Sequence, residues 1–87
     1  MARTEISQAD NASPGVRETD ALYRLGMRHA ADASTSVKRI EAHKWFNIAA
    51  TRGNVAAARL RREIAEQMSP SEIAAAQRAA REWLTLH

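Results

Sequence analysis

Along the chain, a stretch of polar and small residues gives way near Thr19 to apolar positions spaced as on a helix. Residues 1–17 (MARTEISQADNASPGVR) carry no period and include the breaker Ser13-Pro14-Gly15, which predicts a flexible leader. Thr19 or Asp20 is then placed to cap a first helix, with Ala21, Leu22, Leu25, Gly26 and His29 on one face. The period lapses over Ala31 to Ser36, whose hydroxyl residues offer a cap for the next segment. A second helix is predicted from about Val37 to Arg52, closed by Gly53 at a left-handed C′ position. Its large apolar residues, Val37, Ile40, Trp45, Phe46 and Ile48, go most of the way round. A helix of that kind belongs between neighbours, so it is expected at the centre of the structure.

Asn54 is placed to cap a third helix reaching about Gln67, with Ala57, Leu60, Ile64 and Met68 in one stripe. The sharpest local signal follows in Ser69-Pro70-Ser71-Glu72. Ser69 is an N-cap, Pro70 takes the first helical position, where its missing N–H costs nothing, and Glu72 closes a capping box. The fourth helix repeats Ile73, Ala76, Gln77, Ala80, Trp83, Leu84 and His87 on one face. No β-branched alternation occurs. The fold class predicted is all-α, with about four antiparallel helices.

Composition refines that picture. Hydrophobic residues make up 45% of the 87 positions, but nineteen of them are alanine. Alanine-lined faces let helix axes approach the short end of the ~8–10 Å range of packed pairs. Links of about two to six residues turn consecutive helices antiparallel. Stacked helical hairpins with a small core result.

Within that pattern, Leu25-Gly26, His29, Ala42-x3-Phe46 and Ala49 follow the spacing of the tetratricopeptide (TPR) signature. The interval from Leu25 to Ala42 is longer than in a standard TPR. With that longer link, the run Glu41-Ala42-His43-Lys44-Trp45-Phe46-Asn47-Ile48-Ala49-Ala50-Thr51-Arg52-Gly53-Asn54 strongly resembles the Sel-one-like repeat (SLR) family. The resemblance covers about residues 18–60. His29 stands where the family has Tyr, and the link from Ala31 to Lys38 lacks the family's glycines and proline. The resemblance implies a short TPR/SLR-like solenoid fragment: a leader at 1–17, a repeat at about 18–53, and a second unit with a capping helix at 54–87. It further implies a non-enzymatic adaptor or scaffold for protein–protein interaction, often regulatory in bacteria. In related repeats the first helix of each hairpin lines the concave face, which makes Tyr23, Arg24, Met27 and Arg28 the candidates for partner contact. Solenoids need about three repeats and this chain has one and part of another, so a homodimer through exposed helical ends is a further expectation.

Charge and chemistry narrow the function classes. Thirteen Lys+Arg against ten Asp+Glu give a net charge of +3 and a pI near 10.2. The tight basic cluster Arg59, Arg61 and Arg62 is followed at once by Glu63 and has no interleaved aromatics. That reads as a solvated face, with a small basic nucleic-acid-binding protein as the alternative. The chain has no cysteine, which excludes disulfides and thiolate chemistry, and three scattered histidines suggest no metal site and no cofactor. No apolar run approaches the ~18 residues of a membrane span. Met1 to Asp10 contains no apolar signal core, so a cytoplasmic location is expected. His43-Lys44-Trp45 is the nearest approach to an acid–base pair, and both polar side chains are expected on the outer side of the second helix. No enzymatic activity and no catalytic residue is expected.

Overall fold

The computed structural model of the chain describes residues 14–87. Four helices make it up: α1 (Pro14–Ala30), α2 (Ser36–Thr51), α3 (Val55–Ala65) and α4 (Pro70–Leu86), with no strand among the described residues. The all-α reading holds. Positions 1–13 of the expected leader lie outside the described residues, and its last four residues instead open α1. A proline and a glycine are tolerated in a first turn, where the backbone N–H groups have no intrahelical acceptor. Thr19 is therefore inside the helix and caps nothing. Its hydroxyl donates to the Gly15 carbonyl at 2.8 Å, and its side chain is buried.

The remaining boundaries follow local chemistry. Thr35 caps α2, its side-chain oxygen accepting from the Lys38 N–H at 3.2 Å. Gly53 ends the turn after α2 at φ +104°, a conformation that disfavours any side chain. Asn54 accepts from the Ala57 N–H at 2.8 Å and starts α3. That helix stops at Ala65, short of Gln67, in a turn that runs to the Ser69 cap. The Ser69–Glu72 capping box is complete in both directions, at 3.1 and 3.0 Å.

Contacts at the helix ends give the directions. Arg52 at the end of α2 pairs with Glu18 at the start of α1, so these two run antiparallel. Arg39 meets Glu72 near the starts of α2 and α4, and Trp45 and Arg52 meet Trp83 near their ends. Hence α4 runs parallel to α2. Consecutive helices pack together at α1–α2 and α2–α3, but α4 lies along α2 instead of α3. The apolar pattern explains this choice. The single stripe on α4 covers the helix whose apolar surface goes most of the way round.

That central helix forms the core. Ala42, Phe46, Ile48 and Ala49 of α2 are sealed from solvent, joined by Ala57 of α3 and Ala76 and Ala80 of α4. Burial of a side chain the size of Phe46 contributes roughly 1.5–3 kcal/mol. Its ring lies directly on the backbone of Gly26: a Cβ built there would stand 2.5 Å from two ring carbons. Gly26 is thus required for space and Gly53 for its backbone conformation.

Candidate functional site

α3 doubles back along α2 after the Gly53–Asn54 turn, with Arg61 reaching Asn47, so that α1 and α3, both antiparallel to α2, lie side by side and parallel. Between them is a shallow groove of about 200 Å³. Its floor is Phe46 of α2 with Ile64 of α3; its banks are Met27 and Ala30 on α1 and Leu60, Glu63 and Gln67 on α3. Met27 is 46% exposed although Gly26 beside it is buried, because the groove next to it is open. A second cleft, wider and closer to the start of α1, is bordered by Thr19, Asp20, Arg52 and the Gly53–Val55 turn.

The four residues expected to contact a partner divide in this setting. Arg24 and Arg28 are exposed and make no ion pair among the described residues, and Met27 stands between them at the groove edge. Tyr23 turns inward: it is half-buried, its ring 6.2 Å from that of Phe46. The α3 bank was not among the residues picked from sequence. In the sequence Leu60 belongs to an inward stripe, Glu63 to a solvated face, and Gln67 to the predicted end of the third helix. The parallel placement of two helices that are not sequential neighbours brings them to Met27.

His43 contradicts its expected place on the outer side of α2. It is 3% exposed, and its Nδ1 has no hydrogen-bond partner among the described residues. Burial pushes its pKa below the ordinary 6.5, and the nearby Arg61 guanidinium adds to the effect. The reason for its burial is that His43 lies one turn before Phe46 on nearly the same side of α2 and beside Arg61 of α3, so it faces neighbouring helices. Lys44 is also mostly covered, its ammonium 4.2 Å over the Trp45 ring and 3.8 Å from Glu41. The two polar groups thus serve separate environments.

The basic cluster is likewise drawn into the fold. Arg61 donates to the Asn47 side-chain oxygen at 2.7 Å, and Arg59 to Glu63 at 3.2 Å. Only Arg62 of the three makes no ion pair or side-chain hydrogen bond among the described residues. Among the described residues there is also no group of three His, Asp or Glu side chains able to hold a metal ion. No helix among them is long and apolar enough to cross a membrane.

At the far side of α2, Trp83 is stacked on His87 with 4.0 Å between ring centroids and meets the edge of Trp45 at 5.8 Å. The Arg52 guanidinium sits 5.3 Å from the Trp83 ring. These aromatic groups fasten α4 to α2. Comparison of the chain with protein-family models, with curated proteins and with solved structures returns no match.

Proposed function

We propose that the chain is a non-enzymatic interaction module of the Sel-one-like repeat type, acting as an adaptor through the surface where α1 and α3 lie side by side. The observation that carries this reading is the open groove beside the exposed Met27, on a helix whose exposed Arg24 and Arg28 make no ion pair among the described residues. Met27 at the groove edge is apolar surface left in water, which costs free energy in the free protein, and covering it with a partner side chain recovers that energy.

Two further features support the repeat assignment. The Leu25-Gly26 and Ala42-x3-Phe46 marks meet in space, Gly26 lying under Phe46. The alternation of directions, α1 with α3 and α2 with α4, is what two stacked hairpins require. The separation of α4 from α3 departs from that scheme. Engagement of Arg59 and Arg61 by Glu63 and Asn47 weighs against nucleic acid as the partner class.

The test is affinity capture from a source lysate at low and high salt, with and without nuclease. A protein retained under every condition supports the adaptor reading. Loss on nuclease treatment, or with salt that screens phosphate contacts, moves the assignment to nucleic acid. Recovery of the chain alone leaves self-association as its role. The double variant Arg24→Glu/Arg28→Glu should weaken binding of a retained protein with an unchanged circular dichroism spectrum.

A further inference from the structure

We infer that His43 forms an acid-sensitive latch between α2 and α3, so that a proton taken up on its ring frees α3 from α2 while α1 and α4 stay in place.

Position comes first. His43 is 3% exposed, and its Nδ1 has no hydrogen-bond partner among the described residues. A neutral imidazole is accommodated in such a place, but a charged one is costly unless an acid pairs with it. The groups around it do not supply one. On α2 itself, Arg39 stands one turn earlier on the same stripe, its Nε also buried and without a partner among the described residues. Lys44, the next residue, is turned to Glu41 and the Trp45 ring. From α3 comes Arg61, which donates to Asn47, one turn after His43, at 2.7 Å. From α4 comes Glu72, bonded to Arg39 at 2.8 Å. From α1, Glu18 is paired with Arg52 at the far end of α2, and Tyr23 lies against the Phe46 ring. Each of these acids already has a cation, so a proton on His43 adds a third positive charge to Arg39 and Arg61.

The fold then selects which contact yields. The shortest of the four helices is α3, and its buried side chains are Ala57 and Ile64. By contrast, α1 has Leu22 and the Gly26–Phe46 contact, and α4 has Ala76, Ala80, the Arg39–Glu72 pair and Trp83 on Trp45. Repulsion between His43 and Arg61 acts directly across the α2–α3 seam, beside the bond from Arg61 to Asn47. Local opening passes through the element with the least buried apolar contact. Release of α3 parts Ile64 from Phe46 in the floor of the groove. Burial, with Arg61 adding to it, holds the packed histidine below the ordinary 6.5, so the open form takes the proton more readily. Opening of α3 therefore grows as pH falls from 6.5 toward the depressed value.

The experiment is native-state hydrogen exchange of the full chain from neutral to mildly acidic pH, with rates corrected for intrinsic exchange. Protection of the α3 amides should fall by up to about tenfold per pH unit in that window, the limit for one linked proton. The amides of α1 and α4 should keep their protection. His43→Gln, checked for folding by circular dichroism, should abolish the fall. Arg61→Gln keeps the histidine and should shrink the fall, because the cation opposing the proton is gone; it decides the matter if the first variant does not fold. A loss shared equally by α1, α3 and α4 overturns the latch and makes the effect of acid global. So does α3 protection that holds through the whole range, or a fall of undiminished size in a folded variant.

Discussion

Where α1 meets α2, a bare glycine backbone lies against the Phe46 ring, and the contact is a matter of shape. Where α4 meets α2, the small residues Ala76 and Ala80 fill the middle. The ends of that second contact are held by charge and aromatic rings, Arg39–Glu72 at one and Trp45, Arg52 and Trp83 at the other. The same central helix is therefore gripped in two ways. The shape contact has one ion pair at its end, Arg52–Glu18, but its middle tolerates no added atom. The bracketed contact tolerates more change in size but contains groups whose protonation matters.

Substitutions test this difference most strongly at Phe46. Phe46→Ala removes a side chain that is 1% exposed and leaves a cavity under α1. The expected loss is about 3–5 kcal/mol, a large share of the ~5–15 kcal/mol that holds a typical domain. Thermal and urea denaturation followed by circular dichroism should show a much lower midpoint. Gly26→Ala comes next, at about 1–3 kcal/mol, because the new methyl group drives into a ring that is packed on every side. Combining it with Phe46→Leu should cost less than the two single changes added together, since the smaller side chain makes room for the methyl group. Strict additivity of the pair would show that close approach is not what binds α1 to α2.

On the α4 side the expected effects are smaller. Ser69→Ala removes the cap of α4 and its half of the capping box, for a loss of about 1 kcal/mol. Hydrogen exchange should show that loss as faster opening of the first turn of α4, with the amides of α1 little affected. Equal acceleration in both helices would mean that α4 does not respond as a separate unit.

Acid provides the mildest probe, with no effect expected at neutral pH. His43 has a folded pKa depressed below 6.5, so the unfolded chain binds its proton more readily. Stability attributable to it is complete above about pH 6.5 and is lost as pH falls from there toward the depressed folded value. Glu72 acts lower. The Arg39 guanidinium, then the Ser36 hydroxyl and the Ser69 N–H, hold its carboxyl down at about 2 from 4.5. Its contribution is complete above pH 4.5 and disappears as pH falls toward 2. Urea midpoints measured across this range should decline in two steps. His43→Gln should remove the upper step, and Glu72→Gln should shrink the lower, to which Asp32, held down at about 2 by Lys38, also contributes. An unchanged upper step in His43→Gln would place its origin elsewhere.

Local signals in the chain determined most of the helices. Capping residues and glycines act within a few positions of themselves, which is why Asn54, Gly53 and the Ser69–Glu72 box stand where their chemistry predicts. The start of α1 is the exception: Pro-Gly reads equally as a breaker and as a first turn, and local sequence does not choose between them. The central role of α2 was legible too, since apolar residues on all sides of a helix demand cover on all sides.

Tertiary structure alone decided which surfaces cover which. Arg39 and Glu72 are 33 positions apart, and no periodicity pairs them. His43 was assigned to the outside because one helix viewed alone has an outside; burial depends on the helices that arrive later. The groove is of the same kind, since Met27 is visible in the sequence but its opposite bank, Leu60 and Glu63, joins it only through two reversals of the chain. Periodicity encodes the faces of each helix, because side chains three and four apart share one surface. The pairing of those faces depends on links, side-chain volumes and charges summed over the whole chain, and only the packed structure resolves that sum.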